Sequence, residues 1–166
     1  MKKIIKKIFI AIMCLSLAAV GFGCKEKDEV KEFDRAALEE DVLENVEFSI
    51  ELEPLNPVVF SIYYEIPDGV DSSIYQGGGA SPDVFATFNA SDEDGVKATV
   101  KMLEERVHSL KTDYTDYDAA ELKKIDNAII KTYETYIIYC ITDDYENANK
   151  IIDGYILRKF LGTYLF

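Results

Sequence analysis

Val96, Val100, Leu103, Val107 and Leu110 are spaced four, three, four and three residues apart. Helical geometry puts all five on one narrow stripe, and such a stripe needs an apolar surface to lie against. Ser91-Asp92-Glu93-Asp94 just before it supplies a capping side chain and an acidic first turn, which suit the free N–H groups of a helix start. Lys111 stands near the other end, where a cation is favoured. The spacing predicts a long helix over about 92–111 packed on a sheet.

Strand patterns flank it. Ser72 to Gln76 and Val84 to Phe88 read as two short strands joined by a loop over Gly77–Pro82. Ala128 to Lys131 and Tyr136 to Thr142 read as a second hairpin, turning near Tyr133-Glu134. Phe33, Ala37, Leu38, Val42 and Val46 recur at helical spacing with Asp34 as cap, which predicts a helix at about 34–45. Asp113 to Ala120 reads as a loop, followed by a short helical stretch near Glu121–Lys124. Thr142-Asp143-Asp144 caps a final helix from about 144 to 158. Residues 57–65 are ambiguous: Val58-Val59-Phe60 favours a strand, while Asn56-Pro57 is a good helix start. The expected fold is α+β, a mostly antiparallel four-stranded sheet of two hairpins with helices packed on one face.

The first 23 residues have a different character. Lys2, Lys3, Lys6 and Lys7 precede an apolar run from Ile8 to Val20, and Gly21-Phe22-Gly23 leads to Cys24. The uncharged run is shorter than the ~20 residues a spanning helix needs. It resembles a bacterial lipoprotein signal peptide, which implies a diacylglycerol thioether on Cys24. Gly21 departs from the usual pattern, standing where a Leu is common. An uncleaved signal anchor or an ordinary secretory signal is the alternative. Residues 24–33 then form a charged flexible tether, 34–158 a single domain, and 159–166 an apolar tail.

The whole chain of 166 residues carries a net charge of −13, from 18 Lys and Arg against 31 Asp and Glu. Four of those lysines lie in the leader, so the remainder is more acidic still. That argues against nucleic acid as a partner and against adhesion of the folded part to anionic lipid. Cys14 and Cys24 belong to the leader and its junction, which leaves Cys140. It lies within Ile137-Ile138-Tyr139-Cys140-Ile141, where a buried hydrophobe is the expected role.

No catalytic constellation stands out. The single His108 lies beside Glu104 and Glu105 on the polar flank of the long helix, and its neighbour Ser109 points elsewhere. Gly77-Gly78-Gly79 lacks the ending of a phosphate loop and reads as a flexible connection, with a ligand-approaching loop as the alternative. Asp92-Glu93-Asp94-Gly95 lacks the spacing and distal Glu of a calcium loop. Asp113, Asp116 and Asp118, interleaved with Tyr114 and Tyr117, form the most distinctive polar cluster. Asp113, Tyr114, Asp116 and Tyr117 are the candidate binding loop; no catalytic, cofactor or metal residue is expected.

Phe85-Ala86-Thr87-Phe88, an acidic cap, and Val100-Lys101-Met102-Leu103-Glu104-Glu105-Arg106-Val107 together resemble a family. It is an uncharacterised lipoprotein family of Gram-positive bacteria, catalogued as domain of unknown function 4358. The likeness runs through Tyr117, Ile125 to Lys131 and Tyr136-Ile137-Ile138, reaches back to Tyr64-Glu65-Ile66-Pro67, and covers roughly 35–153. The resemblance implies a helix over 57–65. It also exposes one departure, Glu134-Thr135-Tyr136 where the family tends to have Gly-x-Tyr. Glu134 is not expected to take φ > 0, so the turn is expected to be built differently.

These features describe a lipid-anchored protein on the extracytoplasmic face of the cell membrane, serving as a non-catalytic binding or structural module. Its expected partners are the membrane through the anchor, and an envelope protein, a wall polymer or a small ligand. An envelope hydrolase using acidic side chains is the alternative. The tail, with Tyr155, Ile156, Leu157, Phe160, Leu161, Tyr164, Leu165 and Phe166, is expected to pack on its own domain. A partner site and a membrane-surface segment are the competing roles.

Overall fold

Asp34, Asp92 and Asp118 each start a helix in the same way, accepting from a backbone N–H two or three residues on. Asp34 takes Ala37 N at 3.0 Å, Asp92 takes Gly95 N at 2.8 Å and Asp118 takes Ala120 N at 2.8 Å. Each such cap stabilises by about 0.5–2 kcal/mol. They open α1 (Arg35–Asn45), α2 (Glu93–Tyr114) and α3 (Ala119–Asp126). The strands are β1 (Leu52–Pro54), β2 (Asp71–Gly77), β3 (Val84–Asn89), β4 (Ile129–Tyr133) and β5 (Tyr136–Ile141), and α4 (Tyr145–Gly162) ends the order. This computed structural model describes residues 33–162 apart from 57, 58, 60, 61 and 117, and of 158–162 only the backbone.

The sheet is antiparallel throughout, in the order β1-β2-β3-β5-β4. It therefore has five strands rather than four. The extra one, β1, is three residues long and pairs Leu52 with Gly77 at the sheet edge. Three residues ending in a proline give no readable alternation, so its pairing is decided by the neighbour it meets.

The helices lie on both faces, which corrects the one-face expectation. Alternate residues of β3 and β5 explain why. Val84, Ala86, Phe88, Ile137, Tyr139 and Ile141 share a core with Leu103 and Leu110 of α2 and Ile125 of α3. Phe85, Ile138 and Cys140 face the other way, toward Leu38 and Val42 of α1 and Ala148 and Ile152 of α4. The unbroken apolar run Ile137–Ile141 is the signature of a strand buried on both sides. The α2 stripe packs as its spacing predicts: Leu103 and Leu110 are buried, and Val96, Val100 and Val107 lie against the same core.

Several boundaries move. Phe33, read as the end of the tether, is 8% exposed, and its ring centroid lies 4.7 Å from that of Tyr136 and 5.4 Å from that of Tyr133. Packed chain therefore begins there. α4 continues to Gly162, past the expected stop at 158; Tyr155 and Ile156 lean on the α1–α4 core, and the Tyr155 hydroxyl donates to Ala37 O at 3.0 Å. Residues 163–166, the signal segment, Cys24 and most of the tether lie outside the described residues. Of the helix expected over 57–65, Val59, Ile62 and Tyr63 are helical and Tyr64 and Glu65 are not, while 57, 58, 60 and 61 lie outside the described residues.

Glu134 overturns another expectation, for it does adopt positive φ, at 52°. A side chain there costs about 1–2 kcal/mol in the left-handed region. The turn is held from outside: Ala90 N donates to Thr135 O, and Thr135 Oγ1 donates to Asn89 Oδ1, each at 2.9 Å. Tertiary bonds impose the conformation that the residue resists.

Candidate binding cleft

Arg106, Leu110, Asp113 and Tyr114 share one side of α2, because spacings of four, three and one keep them within a narrow arc. Opposite stand Gln76 of β2 and Tyr139 of β5, with Gly79 and Ser81 of the β2–β3 loop at one side. Between these walls lies a cleft of about 200 Å³. Gly77 and Gly79 shape the loop in different ways. A Cβ on Gly77 would stand 2.4 Å from Ile50 Cγ2, and Gly79 has φ +70° with open space around it. Gly79 thereby lines the cleft at the loop's turn.

The polar side chains of the cleft are unusual for buried groups. Tyr139 is fully buried, yet its hydroxyl has no hydrogen-bond partner; Gln76 Oε1 and Arg106 Nε are likewise buried and unpartnered. A buried polar atom without a partner costs about 1–3 kcal/mol. The Arg106 guanidinium has no carboxylate within ion-pair distance among the described residues, although the chain is strongly acidic. Aromatic rings take that place: its Cζ sits 5.2 Å from the ring centroid of Tyr63 and 5.9 Å from that of Tyr64. Burial pushes the Tyr64 phenol up to about 12, against the opposing pull of the Arg106 charge. Burial also raises the Tyr139 phenol well above its ordinary value, with Arg106 again opposing. Both hydroxyls remain protonated donors at neutral pH.

Two members of the candidate loop reach this cleft, Asp113 and Tyr114. Tyr114 donates its hydroxyl to Ala80 O, closing one end, and Asp113 is exposed. Asp116 is exposed in the turn after α2, and Tyr117 lies outside the described residues. Asp118, the third acid of that cluster, is the α3 cap. His108 and Ser109 are exposed, and Cys140 is fully buried on the opposite face, where burial pushes its thiol up. Arg106, Gln76 and Tyr139 escaped the sequence reading. Arg106 sits among Glu104, Glu105 and Lys101 and looks like one more solvated charge.

A second polar cluster forms beside the same β2–β3 loop, around Asp83, between the cleft residues Pro82 and Val84. Lys124 of α3 is 3% exposed, with Nζ 3.2 Å from Asp83 Oδ1, 2.9 Å from Glu121 Oε2 and 3.5 Å from Asp143 Oδ2. Nζ also donates to Ser49 Oγ, and Asp83 Oδ2 accepts from Ser49 N at 2.6 Å. Burial works against the Lys124 charge, but the bonds to Glu121 and Asp83 outweigh it, so its pKa lies above the usual lysine value. That ammonium is a fixed cation and no nucleophile. On the α1 side, Arg35 Nε donates to Glu39 Oε1 at 2.9 Å and to Thr87 Oγ1 at 2.7 Å, joining helix to sheet. Among the described residues, no group of three His, Cys, Asp or Glu side chains is placed to hold a metal ion.

A two-sided antiparallel α+β sandwich with an aromatic, arginine-bearing cleft is the class that fold and site define. Residues 62–142 match the family model described as Domain of unknown function (DUF4358). The matched stretch begins at the helical residues beside Arg106 and ends after β5, and so includes every wall of the cleft. No curated protein and no solved structure matches the chain.

Proposed function

We propose that this chain is a lipoprotein, anchored by acyl chains on Cys24 at the outer face of the cytoplasmic membrane, whose folded part binds a ligand without transforming it. The cleft carries the reading, since a buried, unpartnered Tyr139 hydroxyl in the wall of about 200 Å³ of space is an arrangement that a bound group would complete. The lysine-rich start and the short apolar run before Gly23-Cys24 support the anchor. Two acyl chains at ~0.8 kcal/mol per buried methylene suffice for stable attachment. Against the hydrolase alternative, Asp83, Glu121 and Asp143 are occupied by Lys124, and the cleft places Asp113 at an exposed position.

A fatty-acid analogue fed to cells should label the wild type and not Cys24→Ser; equal labelling overturns the anchor. A metabolite and wall-fragment extract passed over the immobilised full chain should leave a compound bound and unaltered. Conversion of that compound into new products would favour the hydrolase.

A further inference from the structure

The unpartnered atoms of the cleft have defined polarity. Arg106 Nε–H only donates, Gln76 Oε1 only accepts, and the neutral Tyr139 hydroxyl can donate. Among inorganic anions, sulfate brings only acceptors against Gln76, and phosphate, which keeps an O–H at neutral pH, brings up to two negative charges to a strongly acidic protein. An apolar molecule would leave all three unpaired. A carboxylate with an N–H on the adjacent carbon satisfies the whole set. We propose that the cleft binds the carboxylate end of an α-amino acid or short peptide, Arg106 and Tyr139 taking the carboxylate oxygens and Gln76 accepting from the neighbouring N–H. This rests on the reading of the chain as a binding module.

Size and charge agree with that occupant. About 200 Å³ exceeds the roughly 10–15 Å³ that a single water needs, and falls below the roughly 300–1,000 Å³ of drug-sized sites. One residue fits at a time. A net charge of −13 repels a multiply charged anion, whereas a free amino acid is neutral overall and a peptide end carries one charge. Tyr63 and Tyr64 flank the guanidinium and shield part of it, Nε being buried, which strengthens a charge-assisted hydrogen bond there. Asp113, seven residues further along α2 and about 10 Å along its axis, offers a negative charge at the mouth for an ammonium group. A peptide would instead continue across Arg106 into the adjoining groove of about 510 Å³, which shares Tyr63 and Arg106 with the cleft.

Calorimetric titration of the detergent-solubilised full chain with alanine, N-acetylalanine, alanyl-alanine and inorganic phosphate tests this. At least one of the three carboxylates should bind, and phosphate should not. Alanine alone would identify free amino acids as the source, and the two acylated probes would identify a peptide end. Arg106→Gln and Tyr139→Phe should each weaken binding about tenfold or more. Tyr139→Phe should keep or raise the Tm of the free protein, so its loss of binding is not a loss of fold. Phosphate binding as tightly as the carboxylates overturns the proposal, as do variants that bind normally. A lower Tm for Tyr139→Phe overturns it too, because the hydroxyl would then already be satisfied by water. If no probe binds while the extract still leaves a compound on the column, the carboxylate class fails and the binding module stands. If the column also retains nothing, both fail.

Discussion

The same sheet carries two buried polar clusters that have opposite accounts of their charges. At Lys124 a cation is enclosed by Asp83, Glu121 and Asp143, and Ser49 bonds to both Lys124 and Asp83. At Arg106 a cation faces aromatic rings, with the Tyr139 hydroxyl and Gln76 Oε1 left unpartnered beside it. The first cluster ties four segments together: the chain around Ser49, the β2–β3 loop, α3, and the turn before α4. The second links Arg106 of α2 to Tyr63 and Tyr64 and lies in the wall of a cleft. A buried charge whose partners come from its own chain serves the fold; the cluster around Arg106, with its unpartnered Tyr139 hydroxyl and Gln76 Oε1, is the one proposed above to take a ligand.

Substitutions should separate the two. Lys124→Met would leave Asp83, which is fully buried, without its counter-charge, at a cost of about 3–5 kcal/mol in denaturant unfolding. Leu103→Ala, which opens a hole between α2 and the sheet without removing a polar group, should cost about 2–5 kcal/mol and sets the scale of apolar truncation. Tyr139→Phe should have the opposite sign in free protein, leaving stability unchanged or raising it by up to about 1 kcal/mol. A loss as large as that at Lys124 would show the two clusters to be alike. His108→Ala, at an exposed position of α2, should change stability by no more than about 0.5 kcal/mol.

Alkaline titration sharpens the same contrast. Lys124 is shifted above 10.5 in the folded chain, so the folded state holds its proton more tightly. Its contribution is fully present below pH 10.5 and is lost as pH rises through the folded value. Tyr64, raised from 10.0 to about 12, acts in the same direction, and its share disappears between those values. Stability should therefore fall on the alkaline side, and Lys124→Met should remove the lysine part of that slope while leaving the Tyr64 part.

Helices and central strands were legible because their signals are local. The four-three-four-three stripe, the aspartate caps and the apolar runs of β3 and β5 each lie within a dozen or so contiguous residues. Of the four candidate loop residues, Asp113 and Tyr114 line the cleft and Asp116 is exposed in the turn; Asp118, the third acid of the wider cluster, is a helix cap. Lys124 was read only as the end of a short helical stretch, and its three carboxylate partners at 83, 121 and 143 show no common pattern. Arg106, Gln76 and Tyr139 come from a helix and two strands, and nothing in their sequence neighbourhoods links them.

By itself the sequence determined the strongly acidic charge, the long amphipathic helix and the antiparallel hairpins, all of which depend on composition or on periods of 3.6 and 2 residues. Tertiary structure alone decided that helices cover both faces, that a fifth strand joins the edge, and that Glu134 accepts positive φ. It alone decided which cation would be paired and which left facing a cleft. Whether a buried charge finds a partner depends on side chains that lie tens of residues apart and meet only when the layers close, and no local pattern records that meeting.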